Sequence, residues 1–67
     1  MKLILNGNEH ELTGNRQTVA DLVTQLGLSD SPVAVEVNKQ VVPKRQHADH
    51  QLNEGDVVEV VTLVGGG

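Results

Sequence analysis

The sequence predicts an α+β fold in which a mixed sheet of four to five strands is covered on one face by a single main helix. Only one segment, about 18–27, has the apolar spacing of a long helix. The other apolar segments are short, rich in valine and separated by turn residues, which is typical of strands. Because one helix can cover only one face of a sheet, we expect the other face to stay open.

The chain starts with a predicted β-hairpin. Residues 2–6 form a short apolar strand that leads into Asn6-Gly7-Asn8, where Asn and Gly accept the positive φ angles of a type I′ turn. The returning strand, 9–13, is mostly polar, so we place it at an edge of the sheet. The side chains expected in the core are Leu3, Leu5 and Leu12.

The predicted helix has recognisable signals at both ends. Thr18 is the expected N-cap, and Asp21 three residues later completes a short form of the capping box. Gly27 suits the left-handed position that ends a helix, and Pro32 prevents the helix from resuming. One apolar stripe along the helix comprises Val19, Leu22, Val23 and Leu26.

The second half of the chain predicts three further strands. Residues 33–37 and 57–63 alternate as strands with one buried face do, and the second of these runs is the better candidate for a central strand. Between them, Val41-Val42 predicts a very short strand that Pro43 ends. Residues 43–48 could then form one helical turn with the proline in its first position.

The open face of the predicted sheet is a candidate docking surface. If Val58 and Val60 point towards the helix, the alternate residues of the same strand point outwards. The result is an aliphatic patch rimmed by carboxylates, a composition that favours binding of another protein. The docking residues that we predict are Ile4, Glu36, Glu59, Val61, Leu63 and Val64.

Composition excludes several classes of function. The 67 residues make one domain, carry a net charge of −4 and contain no aromatic side chain, which argues against nucleic-acid binding by phosphate contacts or base stacking. A basic partner surface is favoured instead. The absence of cysteine removes disulfides, thiol nucleophiles and cysteine metal sites. No segment has the length and apolar character of a signal peptide or membrane span, so we expect a cytoplasmic protein without a membrane partner.

The sequence also lacks a recognisable catalytic or metal-binding constellation. His47 and His50 have the i, i+3 spacing of half a metal site, but no third ligand accompanies them. We therefore interpret both, together with His10, as surface histidines, and we predict no catalytic residue and no metal site. The expected molecule is not an enzyme, and it is a monomer when free.

The stretch Val64-Gly65-Gly66-Gly67 is predicted to be a flexible tail behind a domain at 1–63. Glycine has no Cβ, so such a tail is thin enough to enter the active site of another protein, and four residues reach at most about 13–14 Å. The Gly67 carboxylate is the one reactive group that the fold could position. With a reference pKa of about 3.3–3.7 it is ionised at neutral pH, so it must be activated before a nucleophile can attack it.

The order of these features resembles the ThiS family, the β-grasp, ubiquitin-like sulfur carriers of thiamine biosynthesis. The resemblance covers essentially the whole chain. The segments that carry it, in chain order, are Val35-Glu36-Val37-Asn38, Val41-Val42-Pro43, Glu54-Gly55-Asp56 and the final Val-Gly-Gly-Gly. The stretch His47-Ala48 departs from the family, in which an aromatic residue is frequent.

The resemblance implies a role for each part of the tail. An E1-like adenylating enzyme uses ATP and Mg²⁺ to adenylate Gly67, a persulfide sulfur donor attacks, and the resulting thiocarboxylate passes its sulfur to thiazole synthase. Gly65 and Gly66 provide the tether, and the carrier itself binds no cofactor. Three alternatives remain open: a carrier for molybdopterin synthesis, a ubiquitin-like modifier joined to proteins through Gly67, and a β-grasp module that binds partners without covalent chemistry.

Overall fold

A computed structural model describes residues 1–15 and 17–63, and this part of the chain forms one sheet, one α-helix and one 3₁₀ turn. In chain order the elements are β1 (Lys2–Leu5), β2 (Asn8–Glu11), α1 (Val19–Gln25), β3 (Val33–Val37), β4 (Gln40–Val42), the 3₁₀ turn (Lys44–Gln46) and β5 (Val57–Thr62). The strand order is β2-β1-β5-β3-β4. The predicted α+β class and the central position of the last strand are therefore confirmed.

The sheet is mixed because β1 and β5 run parallel, whereas the other neighbours are antiparallel. The two hairpins turn tightly: Asn6 and Gly7 both have positive φ angles of 50° and 84°, as the predicted type I′ turn requires. Because this turn has only two residues, Asn8 already pairs with Leu5, so β2 begins and ends earlier than the predicted 9–13. The second hairpin uses Asn38 and Lys39 in the same way.

Two asparagine side chains, one from each hairpin turn, form hydrogen bonds with the backbone of β5. The Asn6 amide accepts a hydrogen bond from the Val60 backbone N–H (2.9 Å) and donates one to the Val60 carbonyl (3.0 Å). Asn38 accepts a bond from the Val57 N–H at 3.0 Å. Each asparagine thus sits in a tight turn and also extends the pairing of the sheet beyond the turn, so the sequence pattern revealed only half of its role.

The helix begins as predicted. Thr18 is the N-cap, its hydroxyl accepts a bond from the Asp21 N–H (3.2 Å), and the Asp21 carboxylate accepts one from the Thr18 N–H (3.0 Å). This reciprocal pair is a complete capping box. At the other end Leu26 is the C-cap and Gly27 takes a φ of 76°, the left-handed conformation that glycine adopts without strain.

The core lies between α1 and one face of the sheet. It is wholly aliphatic and comprises Leu3, Leu12, Val19, Leu22, Val23, Val35, Val37, Val42, Leu52, Val58 and Val60. Leu5, which we expected inside, is only half-buried at the margin of this cluster. Leu52 was missed by the sequence interpretation although it is fully buried, because it stands alone between polar residues and has no periodic apolar neighbours.

The interpretation of His47 as a surface residue is wrong. Its side chain is 7% exposed, and its Nε2 lies 3.0 Å from the Val42 carbonyl oxygen. The 3₁₀ turn, which starts after Pro43 rather than on it, folds this segment against the start of α1, where the Ala20 N–H donates to the His47 carbonyl (2.9 Å). His47 is therefore a structural histidine. His10 and His50 are half-buried rather than exposed.

Among the described residues, no helix has the length and apolar character needed to cross a membrane.

Candidate functional site

The face of the sheet opposite α1 is not covered by any described part of the chain, and we call it the open face. On four strands its outward side chains are Ile4, Ala34, Glu36, Val41, Val57, Glu59 and Val61, together with Leu63 just after β5, and at the β2 edge the same face carries the ion-paired Lys2, Glu9 and Glu11. Four of these aliphatic side chains are about half or more exposed: Val41 at 69%, Val61 at 53%, Leu63 at 52% and Val57 at 46%. Because apolar side chains exposed together are typical of interaction surfaces, the open face is the candidate functional site.

The register of β5 decides which residues belong to the open face. Val58 and Val60 are 0% and 6% exposed, and Val60 pairs with the buried Val35 of β3. Because side chains alternate along a strand, Glu59 and Val61 must then point away from the helix. The predicted orientation of this strand is confirmed. A register shifted by one residue would have exposed the core valines instead.

Glu36 and Glu59 face each other across the antiparallel pair β3 and β5. Side chains in such opposed positions have Cβ atoms about 4.5–5.5 Å apart, so the two carboxylates repel each other. Both side chains are exposed, and neither has an ion-pair or hydrogen-bond partner within residues 1–15 and 17–63. The open face therefore has an aliphatic surface with a concentration of negative charge on its central strands.

The other predicted docking residues differ in how much of their side chain is exposed and in whether the structure describes them. Ile4 is half-buried and pairs with Val57 in the parallel ladder, so it contributes less exposed surface than Val61 or Leu63. The Leu63 N–H donates to the Pro32 carbonyl (2.9 Å), which holds the chain beside β3 one residue beyond the last strand. Val64, Gly65, Gly66 and Gly67 lie outside the described residues, so their predicted roles stay predictions.

Three members of the open face were missed by the sequence interpretation: Ala34, Val41 and Val57. The period-2 rule that selected Glu59 and Val61 also applies to Val57, two residues earlier in the same strand. Val41 could not be placed from its own short segment, since only its pairing with Glu36 shows that it shares their face. With these residues the aliphatic part of the open face extends across four of the five strands.

A groove of about 240 Å³ lies on the other side of the molecule, between α1 and the 3₁₀ turn. It is lined by Ala20, Val23, Thr24, Ser29, Lys44, His47 and Ala48. The lining holds no carboxylate or thiol, and His47 is occupied by its contact with the Val42 carbonyl. Within the described ranges, no group of three His, Asp or Glu side chains is arranged to bind a metal ion.

Comparison with known proteins gives consistent results. The ThiS family model matches residues 3–67. A sulfur carrier protein ThiS from Bacillus subtilis is 35% identical over 97% of this chain and 98% of its own length. A thiazole synthase from Paramagnetospirillum magneticum is 42% identical over the whole of this chain, which spans only 20% of that relative's length.

A solved structure extends the likeness to three dimensions. The crystal structure of the thiamine biosynthesis protein ThiS from Geobacter metallireducens superposes with a TM-score of 0.81, at 29% identity and with complete coverage of both chains. The sequence comparisons and the structural comparison thus agree with each other. This chain belongs to the ThiS family.

Proposed function

We propose that this chain is a sulfur carrier of thiamine biosynthesis that holds sulfur as a thiocarboxylate on Gly67. Membership of the ThiS family supports the function. The structural observation that carries the proposal is the course of β5. This strand is central in the sheet, its outward side chains belong to the open face, and Leu63 follows it immediately before Val64 and the three glycines. Docking surface and tail are therefore adjacent in the chain.

The chemistry begins with the Gly67 carboxylate, which is a poor electrophile while it is ionised. Transfer of AMP from ATP to a carboxylate oxygen, with release of pyrophosphate, turns that oxygen into part of a leaving group. The terminal sulfur of a persulfide then attacks the carbonyl carbon, and AMP departs. A thiol finally cleaves the S–S bond of the acyl disulfide, which leaves the thiocarboxylate on the carrier and a disulfide on the donor side.

The parts of the chain divide the work in this proposal. Gly67 carries the sulfur, and Gly65 and Gly66 form a tether without Cβ atoms that fits a narrow channel. The open face, which has Glu36, Glu59, Val61 and Leu63 among its exposed members, selects the enzyme. The reactions themselves take place in the partner's active site, so the carrier is a cosubstrate and not a catalyst. ATP and Mg²⁺ belong to the activating enzyme.

The proposed partners are an E1-like adenylating enzyme, a persulfide donor and thiazole synthase. The third is supported by the relatives named thiazole synthase, since two of them, from Paramagnetospirillum magneticum and Magnetococcus marinus, match this chain over its whole length at 42% and 40% identity. A carrier unit joined to an enzyme in one polypeptide is already at the high local concentration that their encounter requires. In this chain we propose that the same encounter depends on docking through the open face.

Intact-mass analysis tests the proposed chemistry. The 67-residue chain is incubated with ATP, Mg²⁺, the E1-like enzyme and a persulfide donor, and replacement of one oxygen by sulfur on Gly67 is the expected product. Deletion of Gly67 or the substitution Gly66→Val should abolish loading, while thermal melts stay unchanged because the tail glycines have no side chains that could contribute to a core. Normal loading of either variant would contradict the mechanism. Addition of thiazole synthase then separates a thiamine carrier, which loses its sulfur to that enzyme, from a molybdopterin carrier, which keeps it.

Substitution of Val61 tests the docking role of the open face. Val61→Asp places a charge on a side chain that is 53% exposed, so we expect weaker binding to the activating enzyme and a folded carrier. Ser29→Asp is the matched control, because Ser29 is exposed and lies in the groove on the opposite side. Equal affinities of the two variants would exclude the open face as the docking site.

A further inference from the structure

Glu36 and Glu59 differ from the other carboxylates of the described chain. Most of those carboxylates are neutralised or capped: Glu11 by the N-terminal ammonium at 2.6 Å, Glu9 by Lys2 at 3.9 Å, and Asp21, Glu54 and Asp56 by backbone N–H groups. Asp30 and Asp49 also lack partners, but both lie away from the open face, in loops where water surrounds them. Only the Glu36 and Glu59 pair combines unpartnered charge with direct opposition across two strands.

We expect the opposed pair to destabilise the free carrier, because like charges directly across an antiparallel pair repel. A single positive charge between the two carboxylates would reverse the sign of the interaction. The nearest neighbours on the same face are aliphatic: Ala34 and Val61 pair with each other on one side, and Val41 lies opposite Glu36 in β4. Val41 and Val61 are exposed in the free carrier, so a cation leaves water here only when an apolar partner surface covers these side chains, and its attraction to the carboxylates is then stronger.

We infer that the open face is built to receive an arginine of thiazole synthase, seated between Glu36 and Glu59 and surrounded by apolar side chains of that enzyme. Arginine fits better than lysine because its planar guanidinium presents donors in two directions and can bond to both carboxylates at once. The partner surface must be apolar around the arginine, since Val57, Val61 and Leu63 are about half exposed in the free carrier. This inference rests on the proposed function, from which the identity of the enzyme is taken.

Calorimetric titration of the organism's own thiazole synthase with the carrier tests the inference. Glu36→Gln and Glu59→Gln keep the size and polarity of each side chain and remove its charge. We expect each variant to bind about 10-fold more weakly, the effect of losing one charge-assisted hydrogen bond. Asp49→Asn is the matched control: it changes the net charge equally, and Asp49 lies beside the 3₁₀ turn, outside the open face. Its affinity should equal that of the wild type.

The dependence on salt provides a second readout. An ion pair at the interface makes the wild-type affinity fall between low and high ionic strength, and the double variant Glu36→Gln/Glu59→Gln should lose most of that dependence. If thiazole synthase binds the wild type and both single variants equally well, the inference is overturned while the proposed function stands. If the wild type is not loaded with sulfur and does not bind the enzyme at all, the proposed function itself fails. Circular dichroism of each variant shows that the fold is retained.

Discussion

An alanine scan of β5 should separate the two faces of the sheet by stability alone. Val60 is 6% exposed and packs in the aliphatic core, whereas its neighbour Val61 is 53% exposed on the open face. Val60→Ala removes two methyl groups from the core, which costs about 1.6 kcal/mol in transfer free energy and about 2–3 kcal/mol once the cavity is included. Val61→Ala removes the same groups from a side chain that is already half in water, so we expect a loss of about 0.5 kcal/mol or less.

The loss expected for Val60→Ala is large relative to the total free energy of unfolding. A domain of 67 residues is stable by about 3–10 kcal/mol, so Val60→Ala should remove a substantial share of its stability. The assay is urea unfolding followed by far-UV circular dichroism, because the chain has no aromatic residue for fluorescence. With a slope of about 1 kcal/mol per molar urea, the midpoint should fall by about 2–3 M for Val60→Ala and by at most about 0.5 M for Val61→Ala.

The reasoning is refuted if the two variants lose equal stability. That result would mean that Val61 is covered in solution, by a shifted strand register or by a second molecule on the open face. Val58→Ala and Val57→Ala provide an independent repeat of the comparison two residues earlier, since Val58 is 0% exposed and Val57 is 46% exposed. The same alternation should appear in both pairs.

Three further predictions concern polar residues. Asn6→Gly keeps the positive φ of 50° accessible but removes both side-chain hydrogen bonds to Val60, so the free energy of unfolding measured in urea should fall by about 1–3 kcal/mol. Asn6→Asp keeps the hydrogen-bond acceptor, so its stability should lie between those of the wild type and Asn6→Gly. Glu59→Gln relieves the repulsion from Glu36 and should stabilise the free carrier by about 0.2–1 kcal/mol in thermal melts at low salt. The gain should disappear at high salt because salt screens the two charges. An unchanged or lower melting temperature at low salt would contradict the repulsion. The N-terminal ammonium lowers the pKa of Glu11. The wild type should therefore be more stable than Glu11→Gln at neutral pH, and this advantage should vanish as the pH falls through the lowered pKa. An advantage that persists in acid would exclude the ion pair as its source.

The two expected effects of Glu59→Gln have opposite signs. The variant should be more stable as a free protein and weaker as a binding partner. A surface residue that lowers the stability of the free fold while it strengthens an interface is typical of sites where function, rather than folding, sets the residue. Measurement of both quantities on one variant therefore distinguishes a docking role for Glu59 from a purely structural one.

The sequence by itself determined the local features of this protein. Period-2 alternation assigned the faces of β5 correctly, because a strand exposes every second side chain whatever its neighbours are. The Thr18 and Asp21 pair located the start of the helix, and Asn6-Gly7 located the first turn, because caps and tight turns depend on residues only two or three positions apart. The composition and net charge argued against nucleic-acid binding, and the order of the turn, the final strand and the glycine tail carried the resemblance to a sulfur carrier.

The tertiary structure alone decided the features that join distant parts of the chain. The burial of His47 and Leu52, the bonds from Asn6 to Val60, the membership of Val41 in the open face and the opposition of Glu36 to Glu59 all depend on which strands and turns become neighbours. Local periodicity carries no information on such pairings, because they are selected by the summed packing of the whole core. The chain's own pattern therefore predicted an open sheet face with Glu36 and Glu59 on it, and only the folded sheet fixed the register that places these two carboxylates directly opposite each other.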